Sequence, residues 1–205
     1  MEFSLLLRFC VRIVFFFSSL FALVGREKSC IVEGMKTFEI EGKTYTATKL
    51  LGHGKGGYSY LVKRRGHYYV VKAIHHEEVS YYKFGNKIQA ENDSYEYLKQ
   101  CHIRIPKCYA IDFEQELVLK QYIRGRNIAD MIKKKEDVSR YIPQVEAMAK
   151  KANAHSINID YYPPNFILRK GLLYYVDYEI EKLDQRYTFA VWGKNYWTGK
   201  KGLDK

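Results

Sequence analysis

A lysine in the middle of an apolar, strand-like run is the feature that most constrains how this sequence can fold. Lys72 stands within Tyr69–Ile74, and an ammonium group buried in such a strand costs free energy unless an anion meets it. In the next segment, Glu91 lies three residues after Ile88 and four before Tyr95, which places a carboxylate on the apolar face of a predicted helix. Both problems are solved if Lys72 pairs with Glu91.

Two alternatives to this pair are open from the sequence. Lys72 could lie on an edge strand with its ammonium in solvent, and Glu96 could replace Glu91 as the acidic partner. Because Glu96 points off the apolar face of the predicted helix, we expect Glu91 to be the partner. Such a pair can hold the lysine ammonium toward the phosphates of a nucleotide.

A glycine cluster precedes this strand. Residues 52–57 read GHGKGG and match G-x-G-x-x-G, a pattern in which missing side chains let backbone N–H groups approach phosphates. Glycine clusters also form ordinary hairpins. The strand-like segment Tyr58–Lys63 follows where a dinucleotide-binding fold has a helix, and the G-K-[ST] ending of a P-loop is missing from the cluster. We expect the four glycines of this cluster to contact a nucleotide: Gly52, Gly54, Gly56 and Gly57.

Acidic and amide side chains follow in the second half of the chain. Asp160 and Asn165 stand five residues apart across a proline-stiffened loop, and Asp177 comes at the end of a later strand-like segment. One Asp for a substrate hydroxyl, with Asn and Asp oxygens for Mg²⁺, is the set of groups that phosphoryl transfer requires. Each residue taken alone is more typical of a turn or a helix cap, so their order and spacing carry the prediction.

Taken in order, these motifs resemble those of the protein-kinase superfamily over about residues 45–180. The glycine loop comes first, followed by the strand lysine in VVK, the helix glutamate and a hinge in the run LVLKQYIRGRNIADMI. A D-x-x-x-x-N loop and an Asp-Tyr-Glu triplet at the D-F-G position complete the series.

The resemblance implies a role for each matched residue. Lys72 would hold the α- and β-phosphates of ATP and Glu91 would orient it. Asp160 would be the catalytic base, while Asn165 and Asp177 would bind Mg²⁺. The cofactors implied are therefore ATP and Mg²⁺.

The chain departs from the kinase pattern at several positions. Asn158 and Ile159 replace the histidine and arginine of H-R-D, which indicates that phosphorylation of an activation loop does not regulate this chain. Glu179 replaces the glycine of D-F-G, as in aminoglycoside- and choline-kinase-like enzymes, and would add an acid near the metal. The alignment puts Lys120 at the back of the adenine pocket, where kinases usually have an apolar residue, with Tyr122 beside the same pocket.

The pattern of elements predicts an α+β, two-lobed protein-kinase-like fold, with a strand-rich N-lobe at about 35–122 and a reduced helical C-lobe at about 125–205. Strands are predicted at Phe38–Ile40, Tyr45–Leu51, Tyr58–Lys63, His67–Ile74, Ala110–Phe113 and Leu117–Tyr122. Helices are predicted at 86–99, at Asn127–Lys135 with Asn127 as its cap, at 139–154, and across the tail Asp184–Trp197. Phe166–Leu168 and Leu172–Val176 are predicted to form a hairpin.

The first 34 residues differ from the rest. Phe3–Val24 is strongly apolar but contains Arg8 and Arg12, each of which costs about 2.5–3.5 kcal/mol at the centre of a bilayer. Three interpretations are open: an over-extended start before a natural Met35, a membrane anchor, or a secretory signal. Because export would separate an ATP-using enzyme from its ATP, we expect a cytoplasmic catalytic domain, with membrane contact only through residues 3–24.

Composition and charge limit the kinds of fold and partner that this chain can have. With 47% hydrophobic residues the chain can form a packed core, and its net charge of +11 favours an anionic partner. Lysines cluster at Lys133–Lys135 and again near the C-terminus, but no RNA-reading motif accompanies them, so nucleic acid is the weaker choice of partner. The four cysteines form no C-x-x-C pair, which favours reduced thiols over a disulfide framework or a zinc site.

The function predicted from the sequence is an ATP- and Mg²⁺-dependent phosphotransferase acting on a serine or threonine hydroxyl of a protein. One alternative is a small-molecule or glycan kinase of the same fold, which Asp177-x-Glu179 and the small C-terminal lobe favour. Another is a pseudokinase that binds a nucleotide without turnover and works as an interaction module. A screen of phosphate acceptors separates the first two, and a test of turnover separates both from the third.

Overall fold

The structure is a computed structural model that describes residues 36–54, 56–76 and 86–203. Its architecture is α+β, as predicted. The strands are β1 Thr37–Ile40, β2 Lys43–Gly54, β3 Gly57–Arg64, β4 His67–Ile74, β5 Cys108–Asp112, β6 Leu117–Gln121, β7 Arg126–Asn127, β8 Ile157–Ile159, β9 Phe166–Arg169, β10 Leu172–Tyr175 and β11 Ile180–Lys182. The α-helices are α1 Lys87–Gln100, α2 Ile128–Lys133, α3 Ile142–Ala154 and α4 Lys194–Trp197.

The first six strands form one antiparallel sheet in the order β1-β2-β3-β4-β6-β5. Strand β4 is therefore flanked on both sides, and Lys72 lies opposite Ser59 of β3 and Val118 of β6. An edge-strand position for Lys72 is thus excluded.

Side chains along β4 and β6 alternate between the two faces of the sheet, and each face packs against a different hydrophobic core. Val71 of β4 and Leu117 and Leu119 of β6 belong to a cluster on one face, together with Phe38 from β1. Val118 points to the other face and joins the larger core, which the helices build. Because side chains alternate along a strand, Lys72 and Lys120 share the Val118 face and are aimed at the helices.

Helix α1 covers the Val118 face. The Asn86 side chain caps it by accepting a hydrogen bond from the Gln89 N–H at 3.0 Å. Ile88 and Leu98 are buried on its inner side, which confirms the predicted apolar face, and Glu91 is buried with them.

The second half of the described chain is built around α3 and two small antiparallel sheets, β10-β9-β7 and β11-β8. The close approach of Gly125 to β9 requires glycine, because a Cβ there would lie 2.2 Å from the Leu168 carbonyl oxygen. Asn127 caps α2, as predicted, by accepting from the Ala129 N–H at 2.8 Å.

The predicted single helix across the tail is wrong. The segment instead forms a 3₁₀ turn at Gln185–Tyr187, a π-turn at Phe189–Gly193 and the short α4. Thr188 breaks the run because its backbone is extended (φ −64°, ψ 159°). The π-turn places Phe189 and Gly193 beside Tyr161, so packing against the Asp160 loop accompanies the departure from a single regular helix.

The other predicted elements are present with bounds shifted by a few residues. Strand β4 has the predicted bounds, and the predicted hairpin is present as β9–β10, with its turn at Lys170-Gly171. Three short strands were not predicted: β7, β8 and β11. The division into two lobes stays a prediction.

The predictions for the leader, including the Met35 start, lie outside the described residues. Among the residues that the structure describes, no helix is both long and apolar enough to cross a membrane. Cys101 is a buried thiol and Cys108 a half-buried one, and neither is in a disulfide.

Candidate functional site

The pair expected from the sequence is present in the structure. Lys72 Nζ lies 2.6 Å from Glu91 Oε2, and the two residues are each 8% exposed. The rival partner, Glu96, instead lies 2.8 Å from Lys99 on the exposed side of α1. Strand β4 and helix α1 are therefore joined by a buried ion pair at the face where the sheet meets the helices.

Asp177 is the second acid at Lys72. Its Oδ1 lies 3.2 Å from Lys72 Nζ and also accepts a hydrogen bond from the Tyr178 N–H at 2.9 Å. Burial raises the pKa of Asp177, but the nearby Lys72 and Lys120 outweigh burial, so the net shift of the pKa is downward. Burial likewise lowers the pKa of Lys72, while Asp177 and Glu91 reverse the effect and raise it. Lys72 is thus a cation held between two carboxylates.

The glycine cluster forms the tight end of the β2–β3 hairpin next to Lys72. Gly54 pairs with Gly57 across the hairpin, and Gly57 pairs with Ile74 of β4. A Cβ added to Gly57 would lie 2.3 Å from the Ala73 carbonyl oxygen, so this position requires glycine. A Cβ added to Gly56 would lie 3.5 Å from Lys72 Nζ, which shows how closely the loop backbone approaches the ammonium group.

An aromatic stack lies beside the same hairpin. The His53 and Tyr58 rings are stacked with centroids 4.2 Å apart, and His53 Nε2 lies 3.2 Å from His75 Nε2. His75 Nε2 is also 2.9 Å from the Gly54 carbonyl oxygen. These contacts connect the end of β4 to the glycine hairpin. Gly52 and Gly54 are exposed, with open space where a Cβ would point.

Asp160 follows β8 and begins the proline-containing loop. Its Oδ1 accepts a hydrogen bond from the Tyr162 N–H at 3.0 Å, while Oδ2 has no hydrogen bond from the part of the chain that the structure describes. Asn165 Nδ2 donates to the Asp160 carbonyl oxygen at 3.4 Å. Asn127 Nδ2 donates to the Pro164 carbonyl oxygen at 2.7 Å, so the cap of α2 also anchors this loop.

The β9–β10 hairpin brings Asn165 and Asp177 together. Phe166 pairs with Tyr175, and the Val176 N–H donates to the Asn165 carbonyl oxygen at 2.9 Å. Asn165, just before β9, and Asp177, two residues after β10, therefore both lie at the open end of this hairpin, although they are twelve residues apart in sequence.

Tyr175 joins the two acidic segments and was not anticipated from the sequence. Its hydroxyl donates to the Glu179 carbonyl oxygen at 2.7 Å and accepts from the Asp160 N–H at 3.3 Å. Tyr175 is fully buried, and burial followed by Asp177 raises its pKa well above the ordinary value, so the hydroxyl keeps its proton. Alternation along β10 indicates an inward side chain, but nothing in the sequence indicates this pair of partners.

The tail supports the Asp160 loop from the other side, which was also not predicted. Trp197 Nε1 donates to the Tyr161 carbonyl oxygen at 2.9 Å, and the Tyr162 hydroxyl donates to the Leu203 carbonyl oxygen. The tail thus contacts the loop at the Tyr161 carbonyl and at the Tyr162 side chain.

Lys120 faces the ion pair rather than solvent. Its Nζ donates to the Val176 carbonyl oxygen at 3.1 Å and lies 3.8 Å from Glu91 Oε1. Tyr122, just beyond β6, is half-buried, with its ring centroid 6.3 Å from that of Tyr68. The adenine-pocket roles of Lys120 and Tyr122 stay predictions.

The oxygen donors of this site suit Mg²⁺ only in combination with a substrate. Within the three described ranges, no group of three or more His, Cys, Asp and Glu residues is arranged to hold a metal ion. Mg²⁺ is commonly bound by one or two carboxylates together with substrate phosphates and water. Asp177, with the amide oxygen of Asn165 at the same end of the β9–β10 hairpin, fits this mode. Glu179 lies two residues further on, where its backbone is fixed by Tyr175.

No protein-family model matches the chain, and no curated protein matches its sequence significantly. The resemblance to protein kinases therefore stays a prediction from the order of the motifs in the sequence.

Proposed function

We propose that this chain is a protein-kinase-like phosphotransferase that binds ATP with Mg²⁺ and transfers the γ-phosphoryl group to a serine or threonine hydroxyl of a protein. The observation that carries this proposal is the buried Lys72 between Glu91 and Asp177, 3.5 Å from the position where a Gly56 Cβ would stand. A buried cation at a glycine hairpin suits the phosphates of a nucleotide.

Each polar group has one task in the proposed reaction. Lys72 and the glycine hairpin bind the phosphates of ATP, and Glu91 orients Lys72. The acceptor oxygen forms a bond to the γ-phosphorus, the bond from that phosphorus to the bridging oxygen of ADP breaks, and the hydroxyl proton goes to Asp160. The Tyr162 N–H holds Oδ1 of Asp160, which leaves Oδ2 as the proton acceptor.

Asn165 and Asp177 would hold Mg²⁺, which neutralises charge on the transferring phosphoryl group when it is bound. Asp177 must then exchange its contact with Lys72 for the metal. Most of the rate enhancement would come from positioning and electrostatic stabilisation.

The test is ATP turnover by the full chain with Mg²⁺, following γ-phosphate transfer to the chain itself, to generic protein substrates and to water. We expect Asp160→Asn to lower turnover at least about 100-fold, since removal of a general base typically costs that much. The asparagine amide oxygen can still accept from the Tyr162 N–H, so the loop is preserved. Asp130→Asn, on the exposed side of α2, is the matched control and should leave turnover unchanged.

Other outcomes point to other functions. Transfer to sugars or lipids but not to proteins would favour the small-molecule or glycan kinase. Tight ATP binding without turnover, or turnover indifferent to Asp160, would refute the mechanism and favour the pseudokinase. In that case partner binding would be tested next, and a steep loss of affinity with salt would indicate nucleic acid.

A further inference from the structure

A second buried lysine faces the Lys72–Glu91 pair. Lys120 is only 4% exposed, less than Lys72 itself. Its ammonium contacts three groups: the Val176 carbonyl oxygen at 3.1 Å, Glu91 Oε1 at 3.8 Å and the Tyr178 ring at 4.3 Å from its centroid. A lysine this deeply buried requires compensating partners, because desolvation of an ammonium group is costly.

The sheet register explains why Lys120 reaches the same acid as Lys72. Lys120 of β6 lies opposite Val70 of β4, two residues from Lys72 and on the same face. Both side chains therefore project toward α1, where Glu91 is buried. Lys72 contacts Oε2 of Glu91, and Lys120 approaches Oε1, which has no hydrogen-bond partner among the described residues.

We infer that Lys120 is a positioning residue that keeps Glu91 and the Asp177 segment in place when Lys72 engages the phosphates of ATP. This inference rests on the proposed function and extends it. Lys120 connects β6 to α1 through Glu91 and to the Asp177 segment through Val176, the residue just before Asp177.

The charges at the site support this role. In the structure, the Lys72 ammonium contacts both Glu91 and Asp177. Once it also attracts phosphate, less of its charge is available to Glu91, and Lys120 supplies a second cation. Burial lowers the pKa of Lys120; Glu91 opposes that shift and Lys72 adds to it. Burial thus disfavours the charge on Lys120, and the acid that it approaches is the one that Lys72 uses.

This role differs from the one that the resemblance to kinases implies for Lys120, which is a position at the back of the adenine pocket. A residue at the back of the adenine pocket would affect adenosine and ATP alike, since both contain the base. A residue that acts through Glu91 and Lys72 should affect only ligands that carry phosphates. The two roles can therefore be distinguished by comparing how Lys120 variants change the affinity for ATP and the affinity for adenosine.

The first experiment is a double-mutant cycle on the unfolding equilibrium of the full chain, using Lys120→Met and Glu91→Gln. In the double mutant, we expect the change in the unfolding equilibrium constant to differ at least about fivefold from the product of the changes in the two single mutants. Such non-additivity is typical of residues in contact. Lys120→Met should be less harmful, or more stabilising, when Glu91 is already glutamine. The matched control is Lys120→Met with Glu96→Gln on the exposed side of α1, where we expect additivity.

The second experiment measures the affinity of Lys120→Met and Lys120→Gln for ATP with Mg²⁺ and for adenosine. Gln keeps an N–H donor for the Val176 carbonyl but carries no charge. We expect the affinity for ATP to fall at least about fivefold in both variants, because each loses the coupling of Lys120 to the Lys72–Glu91 pair. The affinity for adenosine should be nearly unchanged.

The outcomes separate this inference from the proposed function. An additive cycle overturns the inference, whatever the nucleotide results. Equal losses for ATP and adenosine, or a Lys120→Gln variant that binds ATP like the native chain, also overturn it. A native chain that binds no ATP refutes the proposed function instead, and the cycle then still decides whether Lys120 acts on Glu91.

Discussion

The buried hydroxyl of Tyr175 donates a 2.7 Å hydrogen bond to the carbonyl oxygen of Glu179. The same hydroxyl accepts from the Asp160 N–H at 3.3 Å, so one side chain joins the segment of the proposed base to that of the proposed metal ligands. Because the link runs through backbone groups, it fixes the distance between the two segments without using either carboxylate.

Tyr175→Phe is expected to disturb both segments. It keeps the ring but removes the hydrogen bonds to the Glu179 carbonyl and from the Asp160 N–H, which should cost about 1–3 kcal/mol of stability. ATP turnover should fall about tenfold or more, since small misplacements of reacting groups are costly. Chemical denaturation and turnover assays measure the two effects.

Tyr161→Phe is the matched control for this prediction. The Tyr161 hydroxyl is also buried, but it has no hydrogen-bond partner among the described residues. Its removal should therefore leave stability unchanged or slightly raised. Equal losses in the two variants would show that the Tyr175 bridge is not what matters.

Substitutions along the glycine hairpin should separate folding from ligand binding. Gly57→Ala should destabilise the chain by about 1–3 kcal/mol, because its Cβ would lie 2.3 Å from a backbone oxygen that cannot move away alone. Gly56→Ala should fold normally but bind ATP more weakly, because its Cβ would stand 3.5 Å from Lys72 Nζ. Gly54→Ala meets open space and is the control for stability. The measurements are thermal unfolding and ATP affinity, and a Gly56→Ala variant with native affinity would place the phosphates elsewhere.

The ion pair of Lys72 and Asp177 should appear in the pH dependence of stability. The folded pKa of Asp177 is lowered, so its stabilising contribution is present above the unfolded value of about 3.9 and is lost as the pH falls through the folded pKa. The folded pKa of Lys72 is raised, so its contribution is present below about 10.4, the unfolded value. Asp177→Asn should therefore reduce the free energy of unfolding by a constant amount from about pH 5 to 9 and by a shrinking amount in acid. Denaturant titrations across pH check this, and a difference that stays constant down to pH 3 would contradict it.

Much of the site could be predicted because its signals are local. The apolar run around Lys72 and the helical period around Glu91 each lie within a few residues, and together they require an ion pair. Asn165 and Asp177 follow from a hairpin with a clear turn at Lys170-Gly171.

The partners of Lys120 could not be predicted in the same way. They depend on β6 lying beside β4 rather than on any pattern within β6, and the order of strands is not a local property. Strands β8 and β11 have three residues each, which is too short for alternation to be recognised. In the tail, the sequence predicted one aromatic-rich helix, but contacts with Tyr161 decided the conformation.

Those tail contacts lead to a prediction about the Asp160 loop. A Cβ at Gly193 would lie 2.6 Å from Tyr161 Cβ and 2.8 Å from Phe189 Cδ2, so Gly193→Ala must push the π-turn away from the loop. We expect a loss of about 1–3 kcal/mol in stability, as for other overpacked sites. ATP turnover should also fall at temperatures where the variant is still folded, because Tyr161 is next to Asp160, the proposed base, and a shift of Tyr161 should move it.

Gly202→Ala is the control, because a Cβ there meets no atom within 4 Å. A second variant, Trp197→Phe, keeps the aromatic packing against Phe166 but removes the hydrogen bond to the Tyr161 carbonyl. If the tail positions the loop, Gly193→Ala and Trp197→Phe should both lower turnover at temperatures where each remains folded by circular dichroism. Reduced stability with native turnover in both variants would show that the tail only contributes to the core and does not position Asp160.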